Sequence, residues 1–153
     1  MRKNLTADDL SELIEAPLLA ILATRRADGT ILLSPVWHEW RDGGFSVVIE
    51  ADDVKSRHLR RDPRVTVIVA EQAPPYRTLE ITGNASLSRP ATINETLARI
   101  AVRYLGETSG RAYMAQMADF DGELLRVLPG KMRGWDYRDE LGDELGDGQA
   151  NGG

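Results

Sequence analysis

Lys55-Ser56-Arg57-His58-Leu59-Arg60-Arg61-Asp62-Pro63-Arg64 sets five cationic side chains (Lys55, Arg57, Arg60, Arg61, Arg64) against one carboxylate, Asp62, in a chain of net charge −5. The run follows the apolar, strand-like Phe45-Ser46-Val47-Val48-Ile49 and begins at Asp52-Asp53, either of which can cap a helix. Pro63 disfavours helical dihedrals at Asp62, so the helix is expected to last about two turns. Such a run can be a solvated surface helix. It can also be an anion site, because a strand that feeds a short helix brings free N–H groups and the positive dipole end near Lys55 and Ser56.

Toward the N-terminus, Leu18–Thr24 is a continuous apolar run with turn signals around it, as expected of a strand buried on both faces. Asp28-Gly29 is a hairpin turn. The following segment, 30–40, reads as one strand with Leu33, Pro35, Trp37 and Glu39 on one face and Leu32, Ser34, Val36, His38 and Trp40 on the other. Pro35 cannot donate to a ladder, so the strand has an edge or a bulge at its middle, and a break there frees backbone groups beside Ser34 and Trp37. Asp42-Gly43-Gly44 supplies a second hairpin. Ahead of all this, Thr6-Ala7-Asp8-Asp9 resembles a capping box and predicts a helix over about 7–15, stopped by Pro17.

Toward the C-terminus, Val65–Ala70 reads as a buried strand and 76–87 alternates between a core face (Leu79, Ile81, Ala85, Leu87) and a wet one, with Gly83 marking a bulge or a close backbone approach. Residues 92–104 repeat Ile93, Leu97, Ile100, Ala101 and Tyr104 at helical spacing, and Gly106 ends the helix. Arg111–Ala118 is a weaker helix and Glu123–Leu128 the last regular strand. Hairpin-spaced strands with few helices predict an α+β fold, mainly β, in which an antiparallel barrel carries its helices outside.

Length allows one domain, 1–137. The remaining 138–153 is glycine-rich and acidic, and is expected to be a disordered tail. From Asp136 onward six carboxylates and one cation carry the whole net charge, leaving the preceding residues neutral overall. There is no cysteine, and no apolar run approaches the roughly 20 residues of a membrane span. The N-terminus has no signal-peptide pattern, so a cytoplasmic protein is expected. His38 and His58 lack metal-ligand spacing, and no nucleotide loop or nucleophile elbow is present. Chemistry would therefore rest on a bound cofactor. The basic helix also permits nucleic-acid binding, but the neutral body and acidic end argue against it.

Four pieces in order, Leu22-Ala23-Thr24 with Asp28-Gly29, then Ser34-Pro35-Val36-Trp37, then Lys55–Val65, then Tyr76-Arg77 leading to Gly83-Asn84-Ala85, resemble the pyridoxamine 5′-phosphate oxidase-like split barrels, a superfamily of flavin and deazaflavin oxidoreductases. The Leu-Arg-Arg-Asp-Pro-Arg-Val run and the Ser-Pro-Val-Trp strand are most similar to the branch that uses the deazaflavin F420. The resemblance implies an FMN-binding-like split barrel, a homodimer with cofactor sites at its interface, and hydride transfer between F420 and an unsaturated small molecule. Flavin mononucleotide (FMN) is the alternative cofactor, and a non-catalytic flavin, haem or tetrapyrrole binder the alternative role. By position, Lys55, Ser56 and Arg57 would hold the phosphate, and Ser34, Val36 and Trp37 would line the ring, with a core or interface aromatic as the lesser reading of Trp37. Tyr76 and Trp135 would approach from the partner chain. Where such proteins often carry Thr or Ser at the end of the third strand, this chain has Glu50. A carboxylate beside a phosphate costs energy unless it points away or pairs with Arg57 or Arg60.

Overall fold

The structure is a computed structural model that describes residues 1–141. Strand β1 (Arg2–Leu5) gives no sequence signal, being polar and mostly exposed. It exists because its backbone pairs with β9 (Lys131–Asp136), Arg2 opposite Asp136 and Lys3 opposite Trp135. Thr6 and Asp9 form a reciprocal cap: the Thr6 N–H donates to Asp9 Oδ2 at 2.8 Å and the Asp9 N–H to Thr6 Oγ1 at 3.4 Å. Regular helix α1 nevertheless covers only Ser11–Glu15, with turns over 7–10. Leu10, Leu13 and Ile14 are each 1% exposed and close one end of the core.

β2 (Ala20–Arg25) buries Ala20, Leu22 and Thr24, while Ile21 and Ala23 stay half-buried, so one face meets the core rather than two. The segment expected as a single strand over 30–40 is two: β3 (Ile31–Val36), paired with β2, and β4 (Glu39–Arg41), paired with β5 (Gly44–Glu50). The break lies at Trp37-His38, where the chain passes from one half of the barrel to the other. Pro35 sits on the outer strand β3, where its lack of an N–H costs no ladder bond. Asp42 and Gly43, at φ 50° and 73°, form the tight turn between β4 and β5.

β6 (Arg64–Ala70) and β8 (Gly122–Val127) both pair with the long β7 (Thr78–Ser88), but at different places. β7 pairs with β9 through Thr82 and with β6 through Asn84; from Ala85 onward it pairs with β8. Gly83 sits at this transfer, and a Cβ there would lie 2.4 Å from the Leu128 carbonyl oxygen, so the expected close approach is present. One half-sheet thus runs β3-β2-β6-β7-β9-β1 and the other β7-β8-β5-β4, every pairing antiparallel. This is an antiparallel split barrel. Leu22, Val67, Leu79 and Ile81 of the first half pack with Phe45, Val47, Leu125 and Val127 of the second in one apolar core.

The remaining helices lie outside: α2 (Val54–Arg61), α3 (Ile93–Leu105), α4 (Glu107–Gln116) and α5 (Arg138–Leu141). Helix α2 ends at Asp62 with extended dihedrals (φ −141°, ψ 102°), as Pro63 requires. Gly106, at φ 82°, turns the chain directly from α3 into α4, so α4 begins four residues before the helix expected at Arg111. Residues 138–141 of the expected tail form a single helical turn, with Arg2 paired to Asp139 at 3.0 Å. The rest of that tail lies outside the described residues. Among the described residues no helix is long and apolar enough to cross a membrane.

Candidate functional site

A cavity of about 420 Å³ opens between the end of β3, the outer part of β5, the start of α2 and the helical pair α3–α4. That volume lies in the range of small-molecule and cofactor sites. Val36, Val47, Ile49, Leu97 and Ile100 give it an apolar wall; Trp37 and Tyr113 form an aromatic side; Glu50, Asp53 and Lys55 form an ionic one.

The ionic side follows from the capping of α2. Asp53 is the N-cap, and its Oδ1 accepts from the Lys55 N–H at 2.8 Å. The same oxygen lies 2.9 Å from Lys55 Nζ, which draws the ammonium back over its own helix end and into the cavity wall. Burial works against ionisation of Asp53, but the N–H and ammonium of Lys55, with Arg57 nearby, hold its carboxyl below the usual range. Glu50 is exposed at the rim and makes no ion pair among the described residues; Arg57 and Arg60 are engaged elsewhere.

The five cations that draw attention in the sequence do not converge on one anion. Lys55 faces Asp53, Arg57 donates to the Asp52 carbonyl at 2.9 Å, and Arg60 reaches buried Glu123 at 2.6 Å. Arg61 donates to the Arg25 carbonyl at 2.6 Å, and Arg64 pairs with Asp62 at 2.7 Å. Arg60 and Arg61 therefore fasten α2 to the barrel, while Lys55, Arg57 and Arg64 are engaged by neighbours within a few residues. Ser56 points into the protein and is fully buried, and its Oγ has no hydrogen-bond partner among the described residues. Of the expected phosphate trio, only Lys55 lines the cavity.

The aromatic side is built by α3. Tyr104 stacks on Trp37 with ring centroids 5.1 Å apart and planes 9° from parallel, and Tyr113 of α4 meets the same indole at 5.4 Å and 55°. The Tyr104 hydroxyl donates to the Leu18 carbonyl at 2.8 Å and accepts the His38 N–H at 3.1 Å. Beside it, Arg103 donates to the carbonyls of Ile14 (2.5 Å), Ala16 (2.7 Å), Glu15 (3.3 Å) and His38. His38 itself is completely buried, its ring set edge-on to Phe45 at 5.0 Å. Burial first, and the Arg103 charge second, lower its pKa to about 3, so the ring is neutral at ordinary pH.

Among the expected site residues, Val36, Trp37, Glu50 and Lys55 meet at this one cavity. Ser34 is half-buried on β3 and does not line it. Tyr76 is exposed in the loop before β7, and Trp135 lines a separate cavity of about 310 Å³ with Lys3, Asn4 and Arg133. Within a single chain, then, those two do not join the site. Arg103, Tyr104 and Tyr113 are not legible as site residues in the sequence. Tyr104 lay on the recognised apolar face of α3, but a helical Arg and a Tyr on a weakly amphipathic helix carry no local mark of a site.

The family model for pyridoxamine 5′-phosphate oxidase matches residues 6–136. The chain belongs to that family. Solved structures of similar fold include a conserved hypothetical protein from Mycobacterium tuberculosis, 23% identical, with a TM-score of 0.73 over 90% of this chain and 88% of that one. An F420 reductase is 27% identical with a TM-score of 0.65, over 80% of this chain and 94% of its own. A heme storage protein from Vibrio cholerae, 20% identical, has a TM-score of 0.63 over 84% of this chain and 93% of that one. The first and third are likenesses of fold; members of one architecture here carry different roles.

Proposed function

We propose that this protein is an oxidoreductase that binds the deazaflavin coenzyme F420 in the 420 Å³ cavity and passes a hydride between it and an unsaturated small molecule. The observation that carries the reading is the joining, in one cavity, of an apolar and aromatic slot with an ionic end at Lys55. The 27% identity to an F420 reductase, over most of both chains, supports it.

The residues present fit such a coenzyme. Val36 and Trp37 offer a flat apolar surface for a tricyclic ring, and the apolar wall excludes water from it. Lys55 would meet the phosphate by relaxing its hold on Asp53. Glu50, at the rim with no ion-pair partner among the described residues, has acceptor oxygens suited to the hydroxyls of a ribityl chain rather than to the phosphate. The coenzyme supplies the hydride chemistry; the protein binds, orients and dries the site. FMN shares the ribityl phosphate and a tricyclic ring, and is the rival cofactor. The same reading sets a second copy of the chain against the outer face of β3 and the residue leading into β2, where Leu33 and Leu19 are 64% and 53% exposed, with Tyr76 and Trp135 supplied across the interface.

The test is a fluorescence titration of cofactor-free protein with F420 and, separately, with FMN, on a preparation whose molar mass is measured by sedimentation. F420 is expected to bind to a dimer with micromolar affinity, and Lys55→Ala to weaken it about 10- to 100-fold. Preference for FMN moves the assignment to the rival cofactor, a monomer removes the shared interface, and binding of neither coenzyme overturns the reading.

A further inference from the structure

Trp37 lies on the two-residue crossing between β3 and β4, outside every ladder, so no sheet pairing fixes it. What holds it is the helical pair more than 60 residues later, with Tyr104 of α3 stacked on the indole and Tyr113 of α4 tilted against it. Tyr104 stacks flat on the indole, and its hydroxyl ties the crossing to the segment ahead of β2, accepting from the His38 N–H and donating to the Leu18 carbonyl. Arg103 binds the His38 carbonyl with one nitrogen and the end of α1 with the others. Two adjacent residues of one helix thus fasten the crossing by its N–H, its carbonyl and its aromatic ring.

We infer that Tyr104, supported by Arg103, is the positioning residue that sets the orientation of Trp37 toward the cavity and thereby the ring-binding half of the site. The inference rests on the coenzyme reading for its functional consequence, but the placement of Trp37 can be measured without any ligand. Tyr104→Phe keeps the stack and loses both hydrogen bonds; Tyr104→Leu loses both.

In the full-length protein, Tyr104→Leu is expected to weaken F420 or FMN about 3- to 10-fold, the worth of one aromatic pair, with Tyr104→Phe falling between it and the native protein. The extra loss caused by Lys55→Ala should remain the same in the Tyr104→Leu background, because the phosphate end is untouched. Emission of the bound coenzyme should change in Tyr104→Leu, since its contact with the indole changes. Native affinity and native bound-state emission in Tyr104→Leu would overturn the inference. If the native protein binds neither coenzyme, the coenzyme reading fails and the positioning claim is decided in a Trp40→Phe/Trp135→Phe background, where Trp37 is the sole indole. There, increased acrylamide quenching of Trp37 in Tyr104→Leu supports the claim and unchanged quenching sinks it. Should Tyr104→Leu not fold, Tyr104→Phe decides on the same readings.

Discussion

At the aromatic side of the cavity, Arg103 and Tyr104 occupy the backbone groups of three separate segments, the end of α1, Leu18 and His38, with donors and acceptors matched. At the ionic side, Lys55 and Asp53 share one short-range pair and Glu50 stands at the rim with no ion-pair partner among the described residues. The first region is over-determined by several directional, mostly part-buried bonds. The second holds charges that can change partners when an anion arrives, because each is partly solvated and one is uncommitted. A site that must hold a flat ring at one angle yet admit and release a charged tail needs that asymmetry.

The largest effect should come from breaking the rigid region. Arg103→Leu leaves four carbonyls without their charged donor and is expected to cost about 3 kcal/mol or more, lowering the melting temperature by about 6–12 °C in thermal denaturation. A drop of only a degree or two would mean that water replaces the guanidinium there without loss, and the contrast between the two regions would fail.

Acid should probe the same region next. The folded-state pKa of His38 lies near 3, below the ordinary value of 6.5, so between these values the unfolded chain binds the extra proton. Stability is therefore unaffected above pH 6.5 and lost as pH falls toward 3, at up to about 1.4 kcal/mol per pH unit. Comparing urea unfolding at pH 7 and pH 4.5, His38→Leu should lose about 2 kcal/mol less than the native protein. Equal losses would show that His38 is hydrated and titrates freely. His58, also held below its usual pKa by burial and by Arg61, keeps its own acid contribution in both proteins.

The smallest effect belongs to the ionic rim. Glu50→Gln removes a like charge near the proposed phosphate while keeping an acceptor, and should tighten coenzyme binding about 2- to 5-fold at low salt. The gain should shrink as salt is added. No change at any ionic strength would put Glu50 outside the field of the ligand.

Local chemistry made much of this architecture legible in the sequence. Asp53 caps α2 and Asp62-Pro63 ends it, Asp28-Gly29 and Asp42-Gly43 turn their hairpins, the alternation along β7 separates core from surface, and Gly83 marks the near contact with Leu128. Each depends on dihedral limits or periodicities within a few residues. The same is true of Lys55, whose partner Asp53 is two positions away.

What tertiary structure alone decided is which partner each polar group finds at long range. It turned Ser56 inward, sent Arg60 to Glu123, 63 residues away, split the 30–40 segment at Trp37-His38, and gave Arg103 its carbonyls 65 to 89 residues away. A charge run states how many cations a segment has, and its periodicity states which face they occupy. Their destinations depend on which carbonyls and carboxylates the closed barrel leaves unsatisfied, a quantity that exists only once the chain has folded.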